Sequence, residues 1–290
     1  MTKLTFGQRI KAAIIKKADS FKKNANIVRE LVKKNIKVQY RNSVIGALWT
    51  VLNPLLNMLV MFFVFSTVFS FGKNDPWYSL YILCGNIMFS FVRAATTQSL
   101  TSIVNNRGLL TKNKISQFVF PIANNLGAVV NFAFSMVALL GVMVVVSIVN
   151  HQSAFSFTLL LVFLMLPALF MFSFGLSLIL SSLYVFFRDI QHFYTVFLTL
   201  WTYLTPIFWK MDSLEGNPIF KDLLSLVVNL NPMFHFVEYF RDIVYRCACE
   251  GIGVLESFAT LGILYLIGLA FVGVGTLVFS LTRRNFIYHI

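Results

Sequence analysis

Residues 21–72, FKKNANIVRELVKKNIKVQYRNSVIGALWTVLNPLLNMLVMFFVFSTVFSFG, pass without a linker from a lysine-rich segment into 29 consecutive uncharged residues, Val44 to Gly72. With Val28 as origin and about 100° per residue, Leu31, Val32, Ile36 and Val38 fall on one helical face, and Arg29, Lys33, Lys34, Lys37 and Arg41 fall opposite. Such a helix is expected to lie in a membrane interface, with its stems among headgroups and its charges in water. The uncharged run would extend about 43 Å as a helix at roughly 1.5 Å per residue, against a hydrocarbon core of about 30 Å. Tilt or a kink at Pro54 is therefore expected.

Composition extends this reading to the whole chain. With 58% apolar residues, 32 Phe and 12% charged residues among 290, a soluble globule would lack polar surface. A cleaved secretory signal is not expected, because the first apolar run begins only at residue 44 and exceeds a signal core in length. Charge-free stretches give six expected spans, at about 44–71, 77–103, 118–149, 156–186, 190–209 and 257–281. The fold class is an all-α polytopic membrane protein. Residues 1–43 form an amphipathic cytoplasmic segment, and residues 44–290 form a six-span domain.

Positive charge orients it. Of the 24 Lys and Arg, 12 precede residue 44; Arg107, Lys112 and Lys114 lie between spans two and three, and Arg283 and Arg284 near the end. With an even number of spans all lie on one side, so both termini are expected in the cytoplasm of a plasma membrane. The opposite side carries eight acids, from Asp75 to Glu256. The net charge of +13 is then a topology signal, and no basic soluble domain points to nucleic acid.

Residues 210–256 stand apart. Leu223, Leu224, Leu226, Val227, Val228 and Leu230, then Met233, Phe234, Phe236 and Val237, make the stretch apolar, but Asn231-Pro232 divides it into pieces too short to span. Two short helices around a breaker, entering and leaving on one face, read as a re-entrant hairpin between spans five and six, with its broken backbone against protein or water. It is either a gate over a pathway or an amphipathic cap.

Chemistry is sparse. Cys84, Cys247 and Cys249 make no disulfide framework, and His151, His192, His235 and His289 are scattered, so no metal site is expected. There is no G-x-x-x-x-G-K-[ST] phosphate cradle, so any ATP must be handled by another chain. Asp19, Glu30 and Asp189 are the acids outside the 210–256 region and Asp75, which leaves no paired carboxylates for catalysis. Arg93 is the one charge well inside a span, about 24 Å along a helix from Trp77. It meets an anionic group, holds an inter-span contact, or snorkels to the inner interface.

Several motifs together resemble the permease subunits of ABC-2 type polysaccharide exporters, which move lipid-linked O-antigens, capsular polymers and teichoic acids. They are Val38-Gln39-Tyr40-Arg41-Asn42-Ser43-Val44-Ile45-Gly46-Ala47-Leu48-Trp49 with Leu52-Asn53-Pro54; Asn106 to Leu110 with Lys112 and Phe120-Pro121; Phe187-Arg188-Asp189-Ile190; Thr205-Pro206-Ile207-Phe208-Trp209; and Asn231-Pro232 with Tyr239-Phe240-Arg241-Asp242. The resemblance implies a transport subunit, not an enzyme, paired with a second copy of itself and with two ATPase subunits that bind ATP and Mg. Residues 105–116, with Asn106, Arg107, Lys112 and Lys114, would dock on the ATPase. Tyr40, Arg41 and Lys37 would receive the anionic headgroup of a lipid-linked polysaccharide at the cytoplasmic mouth; topology and binding of anionic membrane lipid account for the same cations. Asn231, Pro232 and Arg241 would belong to the external gate.

Sugars stack on aromatic rings, so span aromatics are candidate channel residues. Trp49, Trp201 and Tyr203 rank first, the latter two in a span that also carries Thr195, Thr199, Thr202 and Thr205. Two alternatives remain open: an ABC-2 permease for a drug or small lipid, and an ion-coupled carrier, which would need internal repeats and mid-membrane acids.

Overall fold

A computed structural model describes residues 24–39, 46, 48–68, 75–112, 115–151, 155, 157–209, 218–246, 254–283 and 285–286. All regular elements among them are helical. The order is α1 (residues 24–39), α2 (Leu48–Phe63, continued by a π turn Val64–Val68), α3 (Tyr78–Leu100), α4 (Ser102–Asn105), α5 (Arg107–Lys112), α6 (Val119–Asn150), a 3-10 turn Phe157–Leu160 leading into α7 (Leu161–Phe186), α8 (Ile190–Leu204), α9 (Pro218–Asn229), α10 (Pro232–Arg241, with a π turn Asp242–Arg246) and α11 (Val254–Thr282).

Five helical stretches among the described residues are long and apolar enough to cross a membrane: Leu48–Val68, Tyr78–Leu100, Val119–Asn150, Phe157–Phe186 and Phe258–Thr282. The fifth of the six expected spans is different. Helix α8 has 15 residues, about 22 Å at 1.5 Å per residue, which falls short of a full crossing. Pro206 stops it: the residue before a proline is driven out of the helical region, and Thr205 is extended at φ −82°, ψ 125°. The chain beyond it is held by side chains of α3. Tyr78 Oη donates to the Phe208 carbonyl at 2.5 Å, and Tyr81 Oη to those of Trp209 at 2.9 Å and Pro206 at 3.2 Å. At the other end Tyr194 Oη donates to Thr96 Oγ1 at 2.6 Å. Helix α8 and its extended tail thus run beside α3 from Thr96 to Tyr78, about 27 Å along the helix axis.

These contacts define two ends of the bundle. At the Tyr78 end, Asn150 Nδ2 donates to the Pro76 carbonyl and Thr158 Oγ1 to that of Ile243. At the α5 end, Leu31 of α1 packs with Val119, Phe120 and Ala123 of α6, and Phe286 packs with Phe279, Val185 and Ile103. The described segments nearest the two termini therefore share one end. The wheel gave α1 one apolar face for headgroups; in the structure Ile27, Val28, Leu31 and Val32 are covered by α6 and by Leu110 and Ile115, while Val38 stays exposed. Asn35 Nδ2 donates to Asn124 Oδ1 at 2.7 Å, fixing α1 against α6.

Helix α3 is the buried axis, with most of its residues buried, whereas only Pro54 and Met58 of α2 are buried. That contrast decides which helix presents a free face. In lipid, burial alone gives helices little reason to associate, so close backbones and polar side chains hold them together. Helix α11 lies along α7 with Gly175 facing Gly275; a Cβ at Gly175 would collide with the Phe271 carbonyl and sit 2.6 Å from Val272 N. Asn125 ties three helices, donating to Ser99 Oγ and Ser177 Oγ and accepting from Ser173 Oγ at 2.8 Å. Each such bond contributes about 0.6 kcal/mol on average.

Candidate functional site

A cavity of about 580 Å³ opens on the flank of the bundle between α2, α3, α6 and α8. Its wall is built by helical spacing. On α2, Thr50, Asn53 and Asn57 recur at i, i+3 and i+7; on α3, Asn86, Ser90 and Arg93 recur at i, i+4 and i+7, so each set shares one face. Helix α6 adds Asn131 and Ser135, and α8 adds Thr199, Thr202 and Tyr203. Asn53, Asn57, Ser90, Arg93, Thr199 and Tyr203 are exposed. A row of amides, hydroxyls and a guanidinium thus lies on the outer face of membrane-spanning helices, where hydrocarbon would leave these groups without partners at a cost of several kcal/mol for each unpaired one.

Arg93 does not snorkel toward the α5 end. Side chains on a helix lean toward its N-terminus, here Tyr78, so Arg93 is aimed toward the middle of the span. One terminal nitrogen donates to Thr202 Oγ1 at 2.7 Å, and the guanidinium carbon lies 5.3 Å from the centre of the Phe89 ring.

Behind this wall a second assembly seats the 231–246 segment. Asn231 is buried and extended at φ −78°, ψ 112°, and its Oδ1 accepts from Met233 N at 3.0 Å, capping α10 with Pro232 in its first turn. The same oxygen accepts from Trp201 Nε1 at 2.7 Å, and Asn231 Nδ2 donates to Thr205 Oγ1 at 2.8 Å. The breaker therefore sits against protein. Arg241, wholly buried, donates to Glu238 Oε1 at 2.9 Å and to the Ile207 carbonyl at 3.0 Å, with its guanidinium carbon 3.5 Å from the centre of the Tyr81 ring. Gly85 makes room, since a Cβ there would lie 2.9 Å from Ile207 Cγ2 and 3.1 Å from an Arg241 nitrogen.

The candidates read from sequence are distributed as follows. Tyr203 lines the cavity, and Arg93 stands in its wall. Trp201 does not line it: its ring is packed among Phe89, Phe172 and Phe197, and its N–H is spent on Asn231. Trp49 is exposed at the start of α2. Asn231 and Pro232 lie at the start of α10 and Arg241 at its end. Asn106 Nδ2 donates to the Ser102 carbonyl at 2.8 Å at the entry to α5, where Arg107 is exposed and Lys112 is the last residue. The Lys112 side chain, all of Lys114, and Tyr40 and Arg41 lie outside the described residues, whereas Lys37 is exposed on α1. Sequence reasoning missed the amide wall of Asn53, Asn57, Asn86 and Asn131. Its signal was present, in amides at helical spacing inside runs otherwise apolar.

Described this way, the chain is a multi-pass helical membrane protein with a polar cavity cut into its flank. It belongs to the ABC-2 type transporter family, whose sequence profile matches residues 27–245. Membership implies an ABC ATPase as partner. Two relatives from Klebsiella pneumoniae, each named O-antigen export system permease protein RfbA, are 25% identical over 256 residues and 26% identical over 257 residues, each match covering 88% of this chain and 92% of the relative. A relative of the same name from Myxococcus xanthus is 28% identical over 236 residues, covering 81% of this chain and 86% of that protein.

Proposed function

We propose that this chain is the transmembrane subunit of an ATP-driven exporter of a lipid-linked polysaccharide, of the O-antigen or teichoic acid class, in a bacterial plasma membrane. The observation that carries the reading is the exposed polar wall. One copy cannot keep Asn53, Asn57, Ser90 and Arg93 away from lipid; a second copy facing α2 and α8 encloses them and turns two open cavities into a lumen. A passage lined by amides, hydroxyls and Tyr203 suits a glycan, which is rich in hydroxyls and has apolar ring faces. The names of the relatives point to the same cargo.

In this reading α8 and its tail make the fifth of six crossings, α9 and α10 form the hairpin that dips from the outer face, and α1 lies at the cytoplasmic interface. Both termini are cytoplasmic. Two permease copies pair with two ATPase subunits that bind ATP and Mg, and α5 is the docking element. The test is reconstitution of the permease with its ATPase in inverted vesicles carrying lipid-linked polymer outside. ATP-dependent appearance of polymer inside supports the reading; ATP-dependent movement of a dye or phospholipid with the polymer left outside refutes it.

A further inference from the structure

Two arginines sit within the spanning bundle, and the protein treats them differently. Arg241 is given a carboxylate, Glu238, together with a carbonyl and an aromatic face. Arg93 is given a hydroxyl and the ring of Phe89, and none of the described residues lining its cavity is acidic. A cation held inside a spanning bundle without a counter-charge is costly, and its position in a polar cavity marks a place where the counter-charge arrives with a ligand.

The remaining wall agrees with an anion. Thr202 takes one of the five N–H donors of the guanidinium, leaving the others for a bidentate oxyanion contact. Asn86 Nδ2, in the same wall, is buried and has no hydrogen-bond partner among the described residues. Further donors come from Asn53 and Asn57 on α2, so with Asn86 on α3 they converge from two helices besides α8. Donors from several directions match a tetrahedral oxyanion with acceptors on every side better than a planar carboxylate. The volume, about 580 Å³, lies within the range of roughly 300–1,000 Å³ usual for ligand sites.

We propose that the cavity beside Arg93 is a mid-membrane station for a phosphoryl group of the cargo, held by the Arg93 guanidinium and the amides of Asn86, Asn53 and Asn57. The station rests on the export reading for its cargo but not for its chemistry. The phosphoryl group arrives on a lipid carrier or on the polymer itself, and both present the same oxygens.

The experiment uses the permease with its ATPase partner in phosphatidylcholine vesicles, with Cys84, Cys247 and Cys249 replaced and Ser90→Cys as reporter, alkylated by neutral N-ethylmaleimide. Three probes are compared: geranylgeranyl diphosphate, glycerol phosphate, and geranylgeraniol, which lacks phosphate. At about ten times its Kd, geranylgeranyl diphosphate should slow alkylation by about tenfold. Arg93→Gln should abolish that protection, Arg93→Lys should retain part of it, and geranylgeraniol should protect less than twofold. Protection by glycerol phosphate as well identifies a polymer-borne group, and protection by the diphosphate lipid alone a carrier-borne one. Equal protection by geranylgeraniol and its diphosphate, or full protection in an Arg93→Gln complex that assembles normally, overturns the proposal. A complex that exports no polysaccharide yet shows Arg93-dependent protection refutes the proposed function and leaves the station standing.

Discussion

Replacing Asn231 with alanine removes three hydrogen bonds at once: the cap on Met233 N, the acceptor for Trp201 Nε1 and the donor to Thr205 Oγ1. Loss of an N-cap costs about 1 kcal/mol, and leaving the Trp201 N–H buried without an acceptor costs roughly 1–3 kcal/mol. Thr205 can turn its hydroxyl elsewhere, so it adds little. The sum, about 3 kcal/mol, acts on the seating of α10 and corresponds to roughly a hundredfold rise in its local opening equilibrium. Single cysteines report this. Met233 is fully buried while Leu230 is 74% exposed, so Met233→Cys should label slowly and Leu230→Cys quickly in the parent. Adding Asn231→Ala should raise the Met233→Cys rate by about two orders of magnitude and leave Leu230→Cys within about twofold. Asn231→Ser restores a cap but cannot reach Trp201, and should recover about 1 kcal/mol, or fivefold. A change of less than threefold at Met233→Cys in the alanine variant would show that the Trp201–Asn231–Thr205 network does not hold α10.

Three further outcomes follow from the same geometry. Gly175→Ala should cost about 1–3 kcal/mol by forcing α11 off α7, read as lower folded yield and a lower midpoint in detergent unfolding, whereas Gly262→Ala, with open space at its Cβ position, should change neither. Arg107→Glu with Lys112→Glu should lower co-purification of the ATPase at least tenfold while membrane insertion is retained; co-purification at the parental level removes α5 as the docking element. The rigorously purified chain alone should hydrolyse no ATP above a mock preparation, since its sequence lacks a Gly-rich phosphate cradle.

The long spans were legible because charge-free length is a one-dimensional signal, and α3, α6, α7 and α11 follow the runs read from it. The fifth run failed as a continuous helix at Thr205-Pro206, where local proline sterics override apolar composition. Asn231-Pro232 was readable as a breaker, yet its partners were not: Trp201 and Thr205 lie 30 and 26 residues away, and nothing local announces that pairing. Trp201 was expected in a channel because tryptophan beside threonines looks like a polar aromatic lining. Its neighbours prove to be other helices. Arg241 stood out only as part of a motif, because a fully buried arginine depends on Glu238, Tyr81 and the space at Gly85 being brought to one point.

The contact of Gly175 with Gly275 bears on how the sequence can change. Most tight contacts drift by compensation: one residue grows and its neighbour shrinks. Here each residue is already the smallest available, and a Cβ on Gly275 would meet the Gly175 carbonyl carbon and Cα at 3.0 Å. No second-site change at the opposite glycine can rescue the first. Escape requires moving a whole helix, so the two positions are expected to persist together while lipid-facing neighbours such as Leu277 and Val274 vary freely.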